Sequence, residues 1–208
     1  MHELFEIDEA KKKNEEAVAH GERAAFPDSQ VSGKIDLAYS EIALGEVGRA
    51  EESLPALQTA AEQTKGWHQW LWITRIARAR AEVALAADRR DEALELAGKA
   101  IALAERYQRL KYTATSRLVL GRALRDVGRM PEAIDALRQA LEEAERLKHP
   151  PTLWSAAAAL SECLFAAGDH AGAEAAFGRA RATIDEFTAG LSARGRSNSS
   201  LRPSSPSS

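Results

Sequence analysis

Small and apolar positions recur along this chain on two superimposed periods. Within eight stretches they return every three to four residues, the spacing of one face of an α-helix. The stretches themselves return every 40 residues, and segments 43–54, 83–94, 123–134 and 163–174 align at that interval without a gap. Ser53, Ala93, Ala133 and Ala173 form a column of small residues. One turn on lie Leu57, Ala97, Leu137 and Phe177, and Ala60, Ala100, Ala140 and Ala180 complete the stripe. Residues so spaced share a helix face, and small ones let a second helix approach closely. Leu44, Ala84, Leu124 and Leu164 mark the inner face of the preceding helix. Between the two helices stand Gly48, Asp88, Gly128 and Gly168, residue types that tolerate the left-handed backbone of a helix end. Pro131 falls in a first helical turn, where a missing N–H costs nothing, and Pro150-Pro151 punctuates the third and fourth pairs.

The pattern predicts first helices near 33–46, 68–86, 112–126 and 152–166, and second helices near 50–64, 90–107, 130–148 and 170–189. Segment 9–18 resembles 92–101, so residues 3–24 read either as the second helix of a pair whose first is missing or as a lone capping helix. After Gly190 the chain is rich in Ser and Pro and has no apolar periodicity, so 191–208 is expected to be disordered. The organisation is then an N-terminal helix in 1–32, four helix pairs in 33–190 and a tail in 191–208. The fold class is all-α: a right-handed α-solenoid of antiparallel helix pairs.

A small residue in the first helix (Ala81, Gly121 and Ser161, with Glu41 departing), a turn glycine, then Ala-x3-Leu or aromatic-x2-Ala resembles the tetratricopeptide repeat. The proline that closes such repeats is replaced here by Lys65, Glu105, Glu145 and Asp185. A period of 40 rather than about 34 residues asks for longer helices. In that respect the chain resembles the long-repeat, MalT-like arrays of bacterial signalling proteins, which accompany ATPase, nucleotide-cyclase or DNA-binding domains. The resemblance covers residues 33–190.

It implies a non-catalytic module, bacterial and signalling or regulatory, that binds a peptide or protein on the concave face lined by the first helices. It also names the outward positions there. These are Tyr39 and Ile42 in the first pair; Arg75, Arg78, Glu82 and Leu85 in the second; Leu118, Val119, Arg122 and Arg125 in the third; and Glu162 and Phe165 in the fourth. Four arginines beside apolar residues suit an acidic partner segment with apolar anchors. Alternatively, Arg78 and Glu82 merely pair at i, i+4. The clamp that some relatives use for C-terminal carboxylates is not matched, since Ala38 and Ile42 occupy its first-repeat positions. A second reading is a remnant of a larger multidomain regulator with a scaffolding role, and self-association through the N-terminal helix is a further expectation.

Composition narrows this picture little. Of 208 residues, 45% are hydrophobic and 28% charged, the balance of a globular protein. The net charge of −3 selects neither nucleic acid nor an anionic membrane as partner. Three arginines without an acid in 191–208 leave −6 for the rest, a solvated tail rather than a nucleic-acid contact. With a single cysteine, no apolar signal core and no run of about 20 apolar residues, the chain is expected to be cytoplasmic. The five histidines share no helix face at i, i+4 spacing, and neither a phosphate-cradling glycine loop nor a nucleophile elbow is present. Cys163 reads as a small core residue. No enzymatic activity, metal or cofactor is expected. Trp67, Trp70 and Trp72 open the second pair, either as packing between repeats or as a partner anchor.

Overall fold

The computed structural model describes residues 7–24, 27–64, 66 and 68–199, with the backbone alone for residue 27 and for 191–199. Among these residues the chain forms nine helices and no strand. They are α1 (Ile7–Arg23), α2 (Pro27–Ala43), α3 (Val47–Gln63), α4 (Gln69–Ala86), α5 (Arg90–Arg106), α6 (Leu110–Asp126), α7 (Met130–Leu147), α8 (Pro150–Ala166) and α9 (His170–Ser199).

One turn, used repeatedly, sets the arrangement. Gly45, Asp88, Gly128 and Gly168 adopt φ of +78°, +59°, +80° and +84°. After each, a backbone N–H reaches the carbonyl five residues back: Glu46 to Glu41, Arg89 to Ala84, Arg129 to Leu124 and Asp169 to Leu164, all at 2.8–2.9 Å. The bond satisfies a carbonyl that the ending helix leaves free and reverses the chain into the next one. Gln108 and Lys148 repeat the device between pairs, with φ of +53° and +49°.

The first of these turns corrects the gap-free alignment. Gly45, not Gly48, is the turn residue, and Gly48 lies inside α3. Second helices α5, α7 and α9 start 40 residues apart, but α3 starts at Val47, 43 before Arg90. Five residues separate the end of α3 at Gln63 from the start of α4 at Gln69, against three between α5 and α6. Shifting the first pair by three residues restores its columns. Ala50, Leu54, Leu57 and Ala61 are buried where Ala93, Ala97, Ala100 and Ala104 are buried in the second pair. Ser53 and Ala60, assigned to that stripe by spacing, are only half-buried, as is Leu44. The small position of the first helix is Ala38, fully buried like Ala81, so Glu41 is no exception to it. The reason for smallness there is visible in α6: a Cβ on Gly121 would lie 2.5 Å from Leu137 Cγ. In α8, Ser161 Oγ at the same position donates to the Ala173 carbonyl at 2.7 Å.

First helices α2, α4, α6 and α8 pack successively on one another, and each of α3, α5 and α7 packs between two of them. α1 packs on α2. The contact is close, a Cβ on Gly33 coming within 3.0 Å of Val18 Cγ2. At the other end, Phe177 departs from its column. It is 60% exposed where Leu137 is fully buried, because no further first helix covers α9 among the described residues. The α9 backbone continues to Ser199, past the tail boundary expected at 191, and residues 200–208 lie outside the described residues.

Candidate functional site

Four first helices side by side leave a groove between their outward faces. A cavity of about 530 Å³ lies there, bounded by α2, α4, α6 and the N-terminus of α8. Tyr39 is its central hub. The Tyr39 hydroxyl donates to the Arg75 carbonyl at 2.6 Å and accepts from Arg78 Nε at 2.8 Å. The Arg78 guanidinium lies 4.2 Å from the Tyr39 ring centroid and also meets Glu82 at 3.2 Å. Burial, against the pull of the arginines, pushes the Tyr39 phenol up to about 12. Burial disfavours the Arg78 charge too, but Tyr39 and Glu82 outweigh it and hold the guanidinium's pKa above its ordinary value. Arg75 pairs with Asp36 across the α2–α4 junction.

α6 supplies Lys111, Tyr112, Thr115 and Leu118, which rise along one face at helical spacing. Tyr112 is braced edge-on by Trp70, with ring centroids 6.3 Å apart. Lys111 is exposed and forms no ion pair among the described residues. His149 caps the N-terminus of α8; its Nδ1 accepts from the Thr152 backbone N–H at 3.4 Å and lies 2.9 Å from the Thr152 hydroxyl. That cap assigns the proton of the neutral ring to Nε2. Burial, with Lys111 and Arg78 adding repulsion, holds the imidazole pKa below its usual value.

The positions named from the sequence divide into three groups. Tyr39, Arg75, Arg78, Glu82 and Leu118 line the cavity. Ile42 and Leu85 are half-buried against the core, and Val119, 2% exposed, faces inward between repeats rather than toward the groove. Val119 is adjacent to Leu118, and one helical step carries it around to the buried side. Arg122, Arg125, Glu162 and Phe165 lie farther along α6 and α8, outside the cavity. Arg125 is committed to Asp126 at 2.8 Å and to Glu162, and the Phe165 ring, 66% exposed, sits 5.0 Å from His170. The basic strip is therefore largely neutralised by the chain's own acids: Asp36 for Arg75, Glu82 for Arg78, Asp126 and Glu162 for Arg125. The i, i+4 pairing of Arg78 with Glu82 is present together with the groove.

Sequence reasoning missed Asp36, Lys111, Tyr112, Thr115, His149, Pro151 and Thr152. Tyr112 and Thr115 carried a signal, since they precede Leu118 at i−6 and i−3. Two of the tryptophans pack: Trp72 is 1% exposed with Nε1 donating to Ser32 at 3.0 Å, and Trp70 lies tilted against Tyr107, 5.6 Å between centroids, under Arg109. Trp67 lies outside the described residues. Among the described residues no cluster of His, Cys, Asp and Glu is arranged to hold a metal, and no helix is long and apolar enough to cross a membrane.

This architecture, helix pairs stacked through small-residue columns with a groove on the first-helix side, is the tetratricopeptide-like solenoid. Residues 112–186, which span α6 to the middle of α9, match the family model of the tetratricopeptide repeat. No curated protein is significantly similar in sequence. Solved structures with the same fold include PlcR of Bacillus thuringiensis in complex with the peptide PapR7 and DNA, at TM-score 0.73 and 16% identity, over 89% of this chain and 69% of that one. Aspartyl phosphate phosphatase F of Bacillus subtilis is similar at TM-score 0.71 and 12% identity, over 89% of this chain and 49% of that one. The apo form of RapI is similar at TM-score 0.63 and 15% identity, over 87% of this chain and 50% of that one. The chain thus spans about half the length of the latter two.

Proposed function

We propose that this chain is a peptide- or protein-binding module of a bacterial regulatory system, with its ligand seated in the concave groove. The observation that carries this reading is the cavity of about 530 Å³ framed by four successive first helices and walled by Tyr39, Tyr112, Leu118 and a set of fixed charges. The peptide complex of PlcR, a protein of the same fold, supports it by analogy. Because Arg75 and Arg78 already hold Asp36 and Glu82, an acidic ligand gains little from them. Lys111 and the Nε2–H of His149 are the donors left for a carboxylate or carbonyl. Tyr112, Leu118 and Pro151 offer apolar surface beside them. The ligand is accordingly a short segment with one acid next to an apolar anchor.

Selection from a displayed peptide library, followed by calorimetric titration, tests this. Lys111→Glu is expected to weaken the selected peptide at least about tenfold, equivalent to about 1.4 kcal/mol. Tyr112→Ala is expected to weaken it similarly, and Arg125→Glu to change it little. Unchanged affinity in both Lys111→Glu and Tyr112→Ala would remove the ligand from this groove.

A further inference from the structure

A second cavity lies on another face of α2, between α1 and α3. α1 and α3 both pack on α2 without packing closely on each other. On the α3 side the lining residues Ser53, Ala56 and Ala60 are small, where the second pair has Leu96, Lys99 and Leu103. The result is a half-open cavity of about 460 Å³ with mainly apolar walls, including Val18 of α1, Val31 and Leu37 of α2, and Leu57 of α3. That size falls in the range of about 300–1,000 Å³ that holds small molecules.

Four polar side chains reach this cavity, and three are occupied. Gln30 Nε2 donates to the Gly21 carbonyl at 3.1 Å, Lys34 pairs with Glu22 at 3.1 Å, and Ser53 donates to the Ala50 carbonyl at 3.0 Å. Glu41 is the fourth. It is 8% exposed, and among the described residues its carboxylate has no hydrogen-bond or ion-pair partner. The two cations whose field reaches it, Lys11 and Arg49, are both committed to Glu46, at 2.5 and 3.1 Å. The residue is largely buried while its carboxylate oxygens keep access to the cavity solvent, so a cation entering the cavity can reach a carboxylate that no side chain of the fold engages. Burial holds the Glu41 carboxyl above the usual range.

We propose that this cavity is a binding site for a small amphipathic amine, its apolar body against the walls and its ammonium donating to the Glu41 carboxylate. The apolar walls exclude water from the pair, which strengthens a charge-assisted hydrogen bond. An alcohol of the same shape keeps the apolar contacts and lacks the charge, and a carboxylic acid is repelled by Glu41. This site is separate from the concave groove and does not depend on the reading of that groove.

Calorimetric titration of the full chain with 2-phenylethylamine and with 2-phenylethanol tests the proposal. The wild type is expected to bind the amine saturably and about tenfold or more tightly than the alcohol. Glu41→Gln, with helicity checked by circular dichroism, is expected to abolish that preference while leaving alcohol binding intact. Ala56→Trp, which fills the cavity from its exposed rim, is expected to block both probes, and it tests the site even where Glu41→Gln disturbs folding. Tyr112→Ala, in the concave groove, is expected to change neither. Equal affinity of the wild type for amine and alcohol, no saturable binding, or an amine preference that survives Glu41→Gln would each overturn the proposal. Loss of amine binding in Tyr112→Ala but not in Ala56→Trp would overturn it as well, by moving the amine to the groove.

Discussion

At the residue scale, Tyr39 ties two repeats together through one hydroxyl. It donates to the Arg75 carbonyl and accepts from Arg78, so removing the oxygen takes one hydrogen bond from that carbonyl and leaves Arg78 Nε with Glu82 alone. Tyr39→Phe is expected to cost about 1–3 kcal/mol in urea denaturation. The same burial makes the contribution of Tyr39 pH-dependent. An unfolded tyrosine loses its proton near pH 10, whereas Tyr39 in the fold holds its own until about 12. Between those values the unfolded state binds fewer protons, so stability falls as pH rises, and Tyr39→Phe should flatten that alkaline limb. His149 acts at the acid end. Its folded pKa is depressed, so unfolded chains take up the proton first and stability falls as pH drops below about 6.5. His149→Asn keeps a cap acceptor for Thr152 and removes the titration; its stability difference between pH 7.5 and 5 should be smaller than that of the wild type. Spacing alone made Tyr39, Arg75, Arg78 and Glu82 legible as neighbours on first helices. Asp36, Lys111 and His149 were not legible, because their place in the groove depends on how α2, α6 and α8 are offset against α4, and offset is a property of packing.

At the element scale, the pairs from α4 onward were legible because their turn residue, small column and inner-face column recur at one interval. The first pair was misread by three residues because Gly45 and Gly48 both offer a turn glycine, and only Gly48 keeps the 40-residue interval. The structure chooses Gly45 for a packing reason: that turn places Ala38 at the close-approach position and buries Ala50, Leu54, Leu57 and Ala61 together. Two substitutions separate the registers. Gly45 holds φ of +78° with nothing within 4 Å of the place a Cβ would take, so Gly45→Ala costs about 1–2 kcal/mol from backbone conformation alone. Gly48 is helical and equally uncrowded, so Gly48→Ala is neutral or stabilises by up to about 1 kcal/mol. Thermal midpoints of the two variants check this, and the reverse order would return the turn to Gly48. The end of α9 was misjudged for a different reason: helix propagation past Gly190 leaves no apolar period to see.

At the scale of the whole molecule, the chain is a linear stack in which stability is a sum over neighbouring helices, so equivalent residues are worth different amounts at different places. Gly121 and Leu137 meet in the interior of the stack, and the α6–α7 contact there has no spare room. Gly121→Ala should therefore cost about 1–3 kcal/mol, since a Cβ would stand 2.5 Å from the fully buried Leu137. Ala140→Leu, in the adjoining column, overpacks the same interface by a similar amount. The sharpest comparison is between Leu137 and Phe177, which occupy one column 40 residues apart. Leu137 is enclosed by the helices that follow α7, and Leu137→Ala should cost about 2–5 kcal/mol through lost burial and the cavity left behind. Phe177 is the larger side chain and would be worth more by composition. It is nevertheless 60% exposed, because α9 has no following first helix among the described residues. Most of its apolar surface already faces water in the folded state, so Phe177→Ala removes little of what folding buries, and its cost should stay below about 1.5 kcal/mol. Urea denaturation of the two variants at a concentration low enough to keep the chain monomeric measures both. A cost for Phe177→Ala equal to that for Leu137→Ala would mean that another surface covers the α9 face in solution, and the effect would then grow with protein concentration.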